Sequence, residues 1–412
     1  MKNYIGMLAN IKFYFLPFLF LFFYIYPLYF FGIPFSTRVI LGVLGFLLCF
    51  MRFRFFPSLF SIFKGAAFIV IISICSALLN YTFDFFFASY VISVFLIFMA
   101  AYLFTLVFPN LMKEEDCFSI VLYLFVWTVC LQSFLAMVMF LSPELNAVLN
   151  TIFPLPVDDS RVERLQGFRL MGLGIVFFGA GVINGLAMIT IIYLYLARRL
   201  KHIWCWSIIY MFIFLIGMLM ARTTIVGFAI SILLLALWRP LHIPTIRMKF
   251  KWGVLMVLMM VVVLAVSFAV IDEQLLRFAF EFWYNMDETG SFESASTNDL
   301  KRMYSIMPTT MKTWLIGDGR YNMPGGGYYM GTDIGFYRLI FYGGIPIMLA
   351  FYYFSWYIIR RIRELGITPL QNKYLIFSFI YLVVLGFKGL ADLNSFFLLL
   401  FIICYRRQML QV

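Results

Sequence analysis

The chain has 412 residues, of which 64% are hydrophobic and only 12% charged, with a mean hydropathy of +0.98; such a composition cannot cover a surface with polar groups and excludes a soluble globular domain. Apolar windows recur along the whole length, at the roughly 15–25 residues that a membrane helix needs, which excludes a barrel of alternating segments of about 10 residues. The net charge of +12 comes from basic residues at the ends of apolar runs and not from one patch, so it does not describe a nucleic-acid-binding surface.

The windows predict an all-α polytopic membrane protein with about twelve transmembrane helices, at 13–33, 37–51, 65–81, 86–108, 117–141, 170–196, 203–221, 223–238, 253–271, 335–358, 373–387 and 391–405. Lys2 and Lys12 precede the first run and no small-residue cleavage site follows, so that run is expected to be retained as a span. With the N-terminus inside, nineteen Lys and Arg fall on the inner side and twelve on the outer, which predicts that both termini are cytoplasmic. The chain then divides into 1–271, holding spans 1–9 and an outer loop at 142–169, a large outer loop at 272–334 between spans 9 and 10, and 335–412, holding spans 10–12.

Inner loops are short and basic, and no GxxxxGK[ST] phosphate loop occurs, so no nucleotide site is expected. The six cysteines lie in apolar spans or at inner ends, and His202 and His242 lie in basic inner loops. Neither a disulfide framework nor a metal site is expected, and no cofactor. In GLGIVFFGAGVINGLAM, Gly181 and Gly185 form a GxxxG pair read as close helix packing. The run Gly325, Gly326, Gly327 lacks a following Lys and is read as a hinge or lid of the outer loop.

The long outer loop is the one extended polar interruption: Asp272 to Arg338 holds nine of the nineteen acids and six of the thirty-one bases. Outer-side cations depart from the positive-inside pattern and need an acid, water or an anion beside them. They are Arg161, Arg164 and Arg169 before span 6, Arg222 at a tight turn, Arg302, Arg320 and Arg338 in and after the long loop, and Lys388 at the end of span 11. Arginine suits phosphate, whose oxygens match its planar fork. The alternative is snorkelling to headgroups, or pairing with Asp158, Asp159 and Glu163; Arg161 is read that way, whereas Arg164, Arg169, Arg222 and Arg338 are read as functional. Asp333 opens span 10 and is either an N-cap, shared with Thr332, or a general base at the membrane boundary. Asp318 and Glu293 are weaker candidates for that base. Trp283, Tyr284, Trp314, Tyr321, Tyr328 and Tyr329 could stack on sugar faces or form an interfacial belt.

The long outer loop before the last three spans, Arg222 with Thr223 and Gly227 at a helical turn, RLQGFRLMG, and the segment GTDIGFYRLIFYGGIP together resemble the bacterial O-antigen polymerase and ligase superfamily over roughly residues 160–350. The resemblance implies a GT-C-type helical fold in the bacterial inner membrane and a metal-independent glycosyltransferase. It would move a growing glycan from undecaprenyl diphosphate onto the sugar end of another lipid-linked repeat unit at the periplasmic face, with a chain-length-regulating co-polymerase as partner. Carried over by motif, Arg164, Arg169, Arg222 and Arg338 would hold the diphosphate; by its position Lys388 is read with them, and Asp333 and Arg222 are read as catalytic. Arg302, Arg320, Tyr328 and Tyr329 would meet sugar. Neither histidine lies on the outer side, which favours polymerase over ligase. A flippase for lipid-linked oligosaccharide is the rival from another class; it would have two related halves and short loops, which this chain lacks.

Overall fold

The computed structural model describes residues 11–51, 57–155, 169–237, 277, 281–290, 295–324 and 326–411. Their regular elements are helices: α1 (Ile11–Ile25), α2 (Thr37–Met51), α3 (Pro57–Leu79), α4 (Phe86–Val107), the one-turn α5 (Pro109–Met112), α6 (Cys117–Leu141), α7 (Pro143–Ile152), α8 (Phe177–Leu196), α9 (Ile203–Met220) and α10 (Thr224–Leu237). Within the long polar stretch come α11 (Glu281–Thr289), α12 (Ala295–Ser305) and α13 (Met311–Leu315), followed by α14 (Gly335–Glu364), α15 (Pro369–Leu385) and α16 (Asn394–Gln411).

Six of these, Ser61–Leu79 of α3 with α4, α6, α8, α9 and α14, are long and apolar enough to cross a membrane, and α1, α2, α10 and α15 are apolar but shorter. Phe15, Leu47, Phe68, Ile92, Phe134, Ile208 and Leu349 remain exposed on outward helix faces, a surface suited to lipid and not to water. The chain is a helical, membrane-embedded protein. The expected span 253–271 lies outside the described residues.

Several expected spans have other ends, the third starting at Pro57, the eleventh at Pro369 and the twelfth running from Asn394 to Gln411, and three more differ for a visible reason. The first stops at Ile25, because Pro27 cannot continue it. Arg38 closes the exposed end, donating from Nε to the Tyr24 carbonyl and from Nη2 to that of Ile25, each at 2.7 Å. The sixth starts at Phe177, not 170: residues 169–176 are irregular, Gly174 takes φ +73°, and the backbone is paired elsewhere. There Leu170 N–H donates to Leu219 O at 3.2 Å, and Gln132 Nε2 donates to Leu173 O at 2.7 Å. The tenth is interrupted at Gly343 and Gly344, whose φ/ψ are −143/23° and 69/−170°. Pro346 then sits in the first turn of a renewed helix, where its missing N–H has no consequence. Residues 345–364, at about 1.5 Å each, span about 30 Å by themselves. The segment 335–342 is therefore an extra piece at the loop end of a helix already long enough to cross.

The chain forms two compact units. The first gathers Met1–Ile40, Phe104–Glu281 and Thr368–Ser378. Its centre is α8, apolar on every side and packed against α6, α9 and α10. Contact there is backbone to backbone: a Cβ on Gly227 would lie 2.1 Å from Gly185 Cα, and one on Gly181 would lie 2.3 Å from Thr223 Oγ1. The GxxxG pair is a packing device, as read from the sequence. Helix starts carry their expected signals, with Asp116 accepting the Ser119 N–H ahead of α6 and Ser142 accepting that of Leu145 ahead of α7, where Pro143 follows.

The second unit gathers Leu41–Leu103, Phe282–Ile367 and Phe379–Val412. Here α14 is central and packs on α3, α13 and α16. Gly65 lets α3 close on α14, since a Cβ there would reach Tyr357 Cδ1 at 2.8 Å, and Tyr357 Oη donates to Ser61 O at 3.0 Å.

Candidate functional site

The break in α14 frees the carbonyls of Phe341 and Tyr342, and the loop segment WLIGDGRY takes them up. Asp318 N–H donates to Phe341 O at 2.6 Å and Gly319 N–H to Tyr342 O at 3.0 Å. Ser76 Oγ lies 2.7 Å from Tyr342 O and 2.8 Å from Ile316 O, its one proton shared between them. Two glycine motifs interlock at this junction: a Cβ on Gly317 (φ +78°) would meet the Tyr342 carbonyl at 2.5 Å, and one on Gly344 (φ +69°) would meet Leu315 C at 2.6 Å.

The α3–α4 turn clamps the same loop from another side. Asn80 Nδ2 donates to Gly317 O at 3.1 Å, Thr82 Oγ1 to Gly319 O at 2.6 Å, and Asp84 Oδ2 accepts Tyr321 N–H at 2.9 Å. Ser73 Oγ, which accepts Ala88 N–H, stands 2.5 Å from Tyr342 Oη, and that phenol donates to Asp84 O at 2.7 Å.

This scaffold presents Arg338. The residue is 9% exposed, forms no ion pair among the described residues, and its Nε has no hydrogen-bond partner. Its guanidinium carbon lies 3.5 Å from the ring centroid of Tyr328 and 4.3 Å from that of Tyr321. Tyr321 in turn stacks on Phe86 at 3.7 Å and 14°. The Gly326–Gly327 run, with φ of +98° and +84°, turns a short hairpin in which Tyr329 N–H donates to Tyr321 O and Met323 N–H to Gly327 O. That reversal brings Tyr328 back beside Tyr321, a use of the glycines that the lid reading did not foresee. Burying an ion carries a penalty of several kcal/mol, whereas an aromatic face returns about 0.5–2 kcal/mol. The two tyrosines leave Arg338 short of a counter-charge, which suits an incoming anion.

Burial pushes the Tyr321 phenol up to about 12, with Arg338 acting the opposite way. The same phenol lies within electrostatic reach of Tyr328, Asp392 and Asp84. Asp392 is exposed but held: Oδ2 accepts Tyr90 O–H at 3.0 Å and Oδ1 accepts Asn394 N–H at 2.8 Å. Asn394 Nδ2 donates to Tyr90 Oη at 2.7 Å, and its Oδ1 accepts from Ser355 Oγ at 2.8 Å. The turn leading to Asp392 lies on the start of α14, where Phe336 N–H donates to Gly386 O and a Cβ on Gly335 would meet Gly389 O at 2.5 Å. Asp84, Tyr90 and Asp392 were not singled out from the sequence. The available signal was a lone acid beside an apolar run in YTFDFFF and in KGLADLNS.

The remaining expected residues fall in different surroundings. Asp333 is half-buried, and its carboxylate makes no hydrogen bond among the described residues; Thr332, and not Asp333, accepts the nearby N–H, from Ile334 at 3.3 Å. Asp318 is held by its own loop: Oδ1 accepts from Thr313 Oγ1 at 2.8 Å, and the Tyr329 phenol is raised by burial and then by the charge of Asp318. Arg320 is exposed, and Arg302 is exposed and pairs with Asp299 at 3.2 Å. Lys388 is half-buried in the turn against α14. In the first unit, Arg222 Nη2 pairs with Glu281 Oε2 at 2.5 Å, so its charge meets an acid that sequence reading passed over. Arg169 lies 6.0 Å from the Phe177 ring. Arg161, Arg164, Asp158, Asp159, Glu163 and Glu293 lie outside the described residues, as do His242 and Gly325. Among the described residues no three His, Cys, Asp or Glu side chains group as a metal site.

The site thus combines a buried cation with no ion pair among the described residues, aromatic faces and a fixed carboxylate at the loop end of membrane helices. Comparison with protein families, with curated proteins and with solved structures found no match.

Proposed function

We propose that the protein is a membrane-embedded glycosyltransferase that transfers a growing glycan from undecaprenyl diphosphate onto the sugar end of another lipid-linked repeat unit, a surface-polysaccharide polymerase of the bacterial inner membrane working at the periplasmic face. The observation that carries the reading is Arg338: nine-tenths buried, without an acid paired to it among the described residues, and flanked by tyrosine rings. A diphosphate is the anion that a guanidinium fork recognises well, and the rings suit a sugar face beside it. Charge developing on the departing diphosphate would be taken up by the arginine, an electrostatic contribution of the kind that commonly dominates transfer chemistry. The absence of a nucleotide phosphate loop in the sequence fits a donor that arrives already activated by its lipid diphosphate.

Deleting the gene in its host is expected to collapse the surface polysaccharide from a ladder to a single repeat unit on its anchor. Complementation with Arg338→Ala is expected to leave it collapsed, the lost charge contact amounting to about 2–5 kcal/mol, or roughly 30- to 4,000-fold in rate. A full ladder from the variant would remove Arg338 from the mechanism.

A flippase reading draws on the break in α14, since discontinuous helices mark transporter sites. Its freed carbonyls, however, are engaged by Asp318, Gly319 and Ser76 and do not face a cation path. A flippase would lose even the single surface unit on deletion, with lipid-linked precursor accumulating.

A further inference from the structure

Between Lys12 and Arg38 the chain carries no charge, and the turn that joins α1 to α2 is apolar at its tip, where Phe31, Gly32, Ile33, Pro34 and Phe35 are all exposed. Phe31 is 78% exposed. Such a tip is unsuited to water, yet the turn is held in shape: the Thr37 N–H donates to Leu28 O at 2.8 Å and the Ile33 N–H to Phe30 O at 2.9 Å. The ten-residue α7 has the same character. Leu145, Val148, Leu149 and Ile152 fall within an arc of about 100°, with Asn146, Asn150 and Thr151 on the other side, where Asn150 Nδ2 donates to Asn146 Oδ1 at 3.0 Å. A stripe of that kind ordinarily packs on a core, but no residue of α7 is buried. The two elements meet: the Phe31 N–H donates to Ile152 O at 3.0 Å, and the Phe30 and Phe153 rings pack edge-on at 5.1 Å.

The cover for this shared apolar face is indicated by α6. Its Trp127, Phe134 and Leu141 are exposed at a regular helical spacing, one stripe along a helix long and apolar enough to cross a membrane, and Ser142 alone separates Leu141 from the start of α7. At about 1.5 Å a residue, the 25 residues of α6 reach about 37 Å, beyond a hydrocarbon core of about 30 Å. The first turn of α7 therefore stands among headgroups. We propose that α7 and the Phe31–Phe35 turn form one interfacial element that lies along the membrane, with its apolar face in the acyl chains just below the headgroups. Lipid is its occupant because the face continues the lipid stripe of α6. Neither α7 nor the turn carries a Lys or Arg, and Glu144 is their one charge, so the element engages hydrocarbon and not headgroup charge. Residues 143–152, expected from the sequence as the start of an outer loop, are then part of the membrane boundary. This inference is independent of the glycosyltransferase reading.

The test uses the full-length chain with its native cysteines replaced and an environment-sensitive bimane attached at Val148→Cys, Ile33→Cys or Thr151→Cys. The protein is placed in vesicles of phosphatidylcholine, alone or mixed with phosphatidylglycerol, and quenching by acyl-chain bromine is compared with quenching by iodide present on both faces. Bromine is expected to quench the labels at Val148 and Ile33 at least about threefold more than the label at Thr151, iodide to show the reverse order, and both lipid mixtures to agree. Ile33 reports separately from Val148, so failure of one variant to fold leaves the other. Equal iodide quenching at Val148 and Thr151 places α7 in water and overturns the proposal. A Val148 label shielded from both quenchers means that protein covers the face and overturns it too; shielding that falls as the protein is diluted in lipid identifies a second copy, and shielding that persists identifies another segment of this chain. Bromine quenching seen only with phosphatidylglycerol replaces acyl-chain insertion by headgroup attraction, and the proposal falls.

Discussion

Arg338 is placed where a cation weakens the fold unless an anion is present, and its tyrosine neighbours offset only part of that burial. Arg338→Met should therefore stabilise the protein in detergent by about 1–4 kcal/mol, read as a higher thermal midpoint, while removing function. A lower midpoint would show that the rings of Tyr321 and Tyr328 already balance the charge. Arg222 is the opposite case, because Glu281 neutralises it. Arg222→Ala and Glu281→Ala should each destabilise by about 1–3 kcal/mol, and the double variant by clearly less than their sum, which a thermodynamic cycle reads directly. The Tyr321 phenol adds a pH dependence. Its value is raised in the folded protein, so its contribution is complete below about pH 10, its ordinary range, and is lost as pH rises towards about 12. Phenolate absorbance followed by alkaline titration should show one fewer late-ionising tyrosine in Tyr321→Phe than in wild type; an unchanged late phase would show that Tyr321 ionises in its ordinary range.

At the level of elements, the interrupted α14 and the WLIGDGRY loop form one construction. Neither part is stable as drawn without the other: the break leaves carbonyls open, and the loop supplies the N–H groups that meet them. Gly317→Ala and Gly344→Ala each place a Cβ within 2.6 Å of backbone atoms at a left-handed φ. A loss of about 2–4 kcal/mol is expected for each, summing conformational strain and overpacking. The same substitution at Gly326, where a Cβ meets nothing within 4 Å, carries only the conformational part. Folded yield by size-exclusion chromatography ranks the three; equal yields would show that the junction is not tightly closed. The α8–α10 contact makes a parallel point in the first unit, where Gly227 touches Gly185.

At the scale of the whole molecule, three contacts between connecting segments of the described residues bear on the alternation of the apolar helices. Phe31 pairs with Ile152 across α2, α3, α4 and α6; Asp116 with Arg199 across α6 and α8; Tyr304 with Phe387 across α14 and α15. Each interval holds an even number of apolar helices when the shorter α2 and α15 are counted with the longer ones, which is what segments on one side require. From the positive-inside bias we propose that the Tyr321–Tyr328 hairpin lies outside. In a variant with the native cysteines replaced, a cysteine at Asn322 should react with a membrane-impermeant maleimide added to cells with a permeabilised outer membrane. One at Gly366 should react only after lysis, and the reverse pattern would invert the topology.

Hydrophobic windows and lone outer cations were legible in the sequence because they report what each stretch of chain must do in lipid, whatever its neighbours are. The helical membrane character, the packing role of Gly181 and Gly185, and the interest of Arg338 and Tyr328 all came from such local constraints. Partnership was not local. That Glu281 neutralises Arg222, that the Asp318 N–H meets the Phe341 carbonyl, and that Tyr90 holds Asp392 depend on segments tens to hundreds of residues apart meeting in space. The break at Gly343–Gly344 was hidden for the same reason. An apolar run with two glycines reads as one span until a distant loop provides the donors that make an interruption affordable.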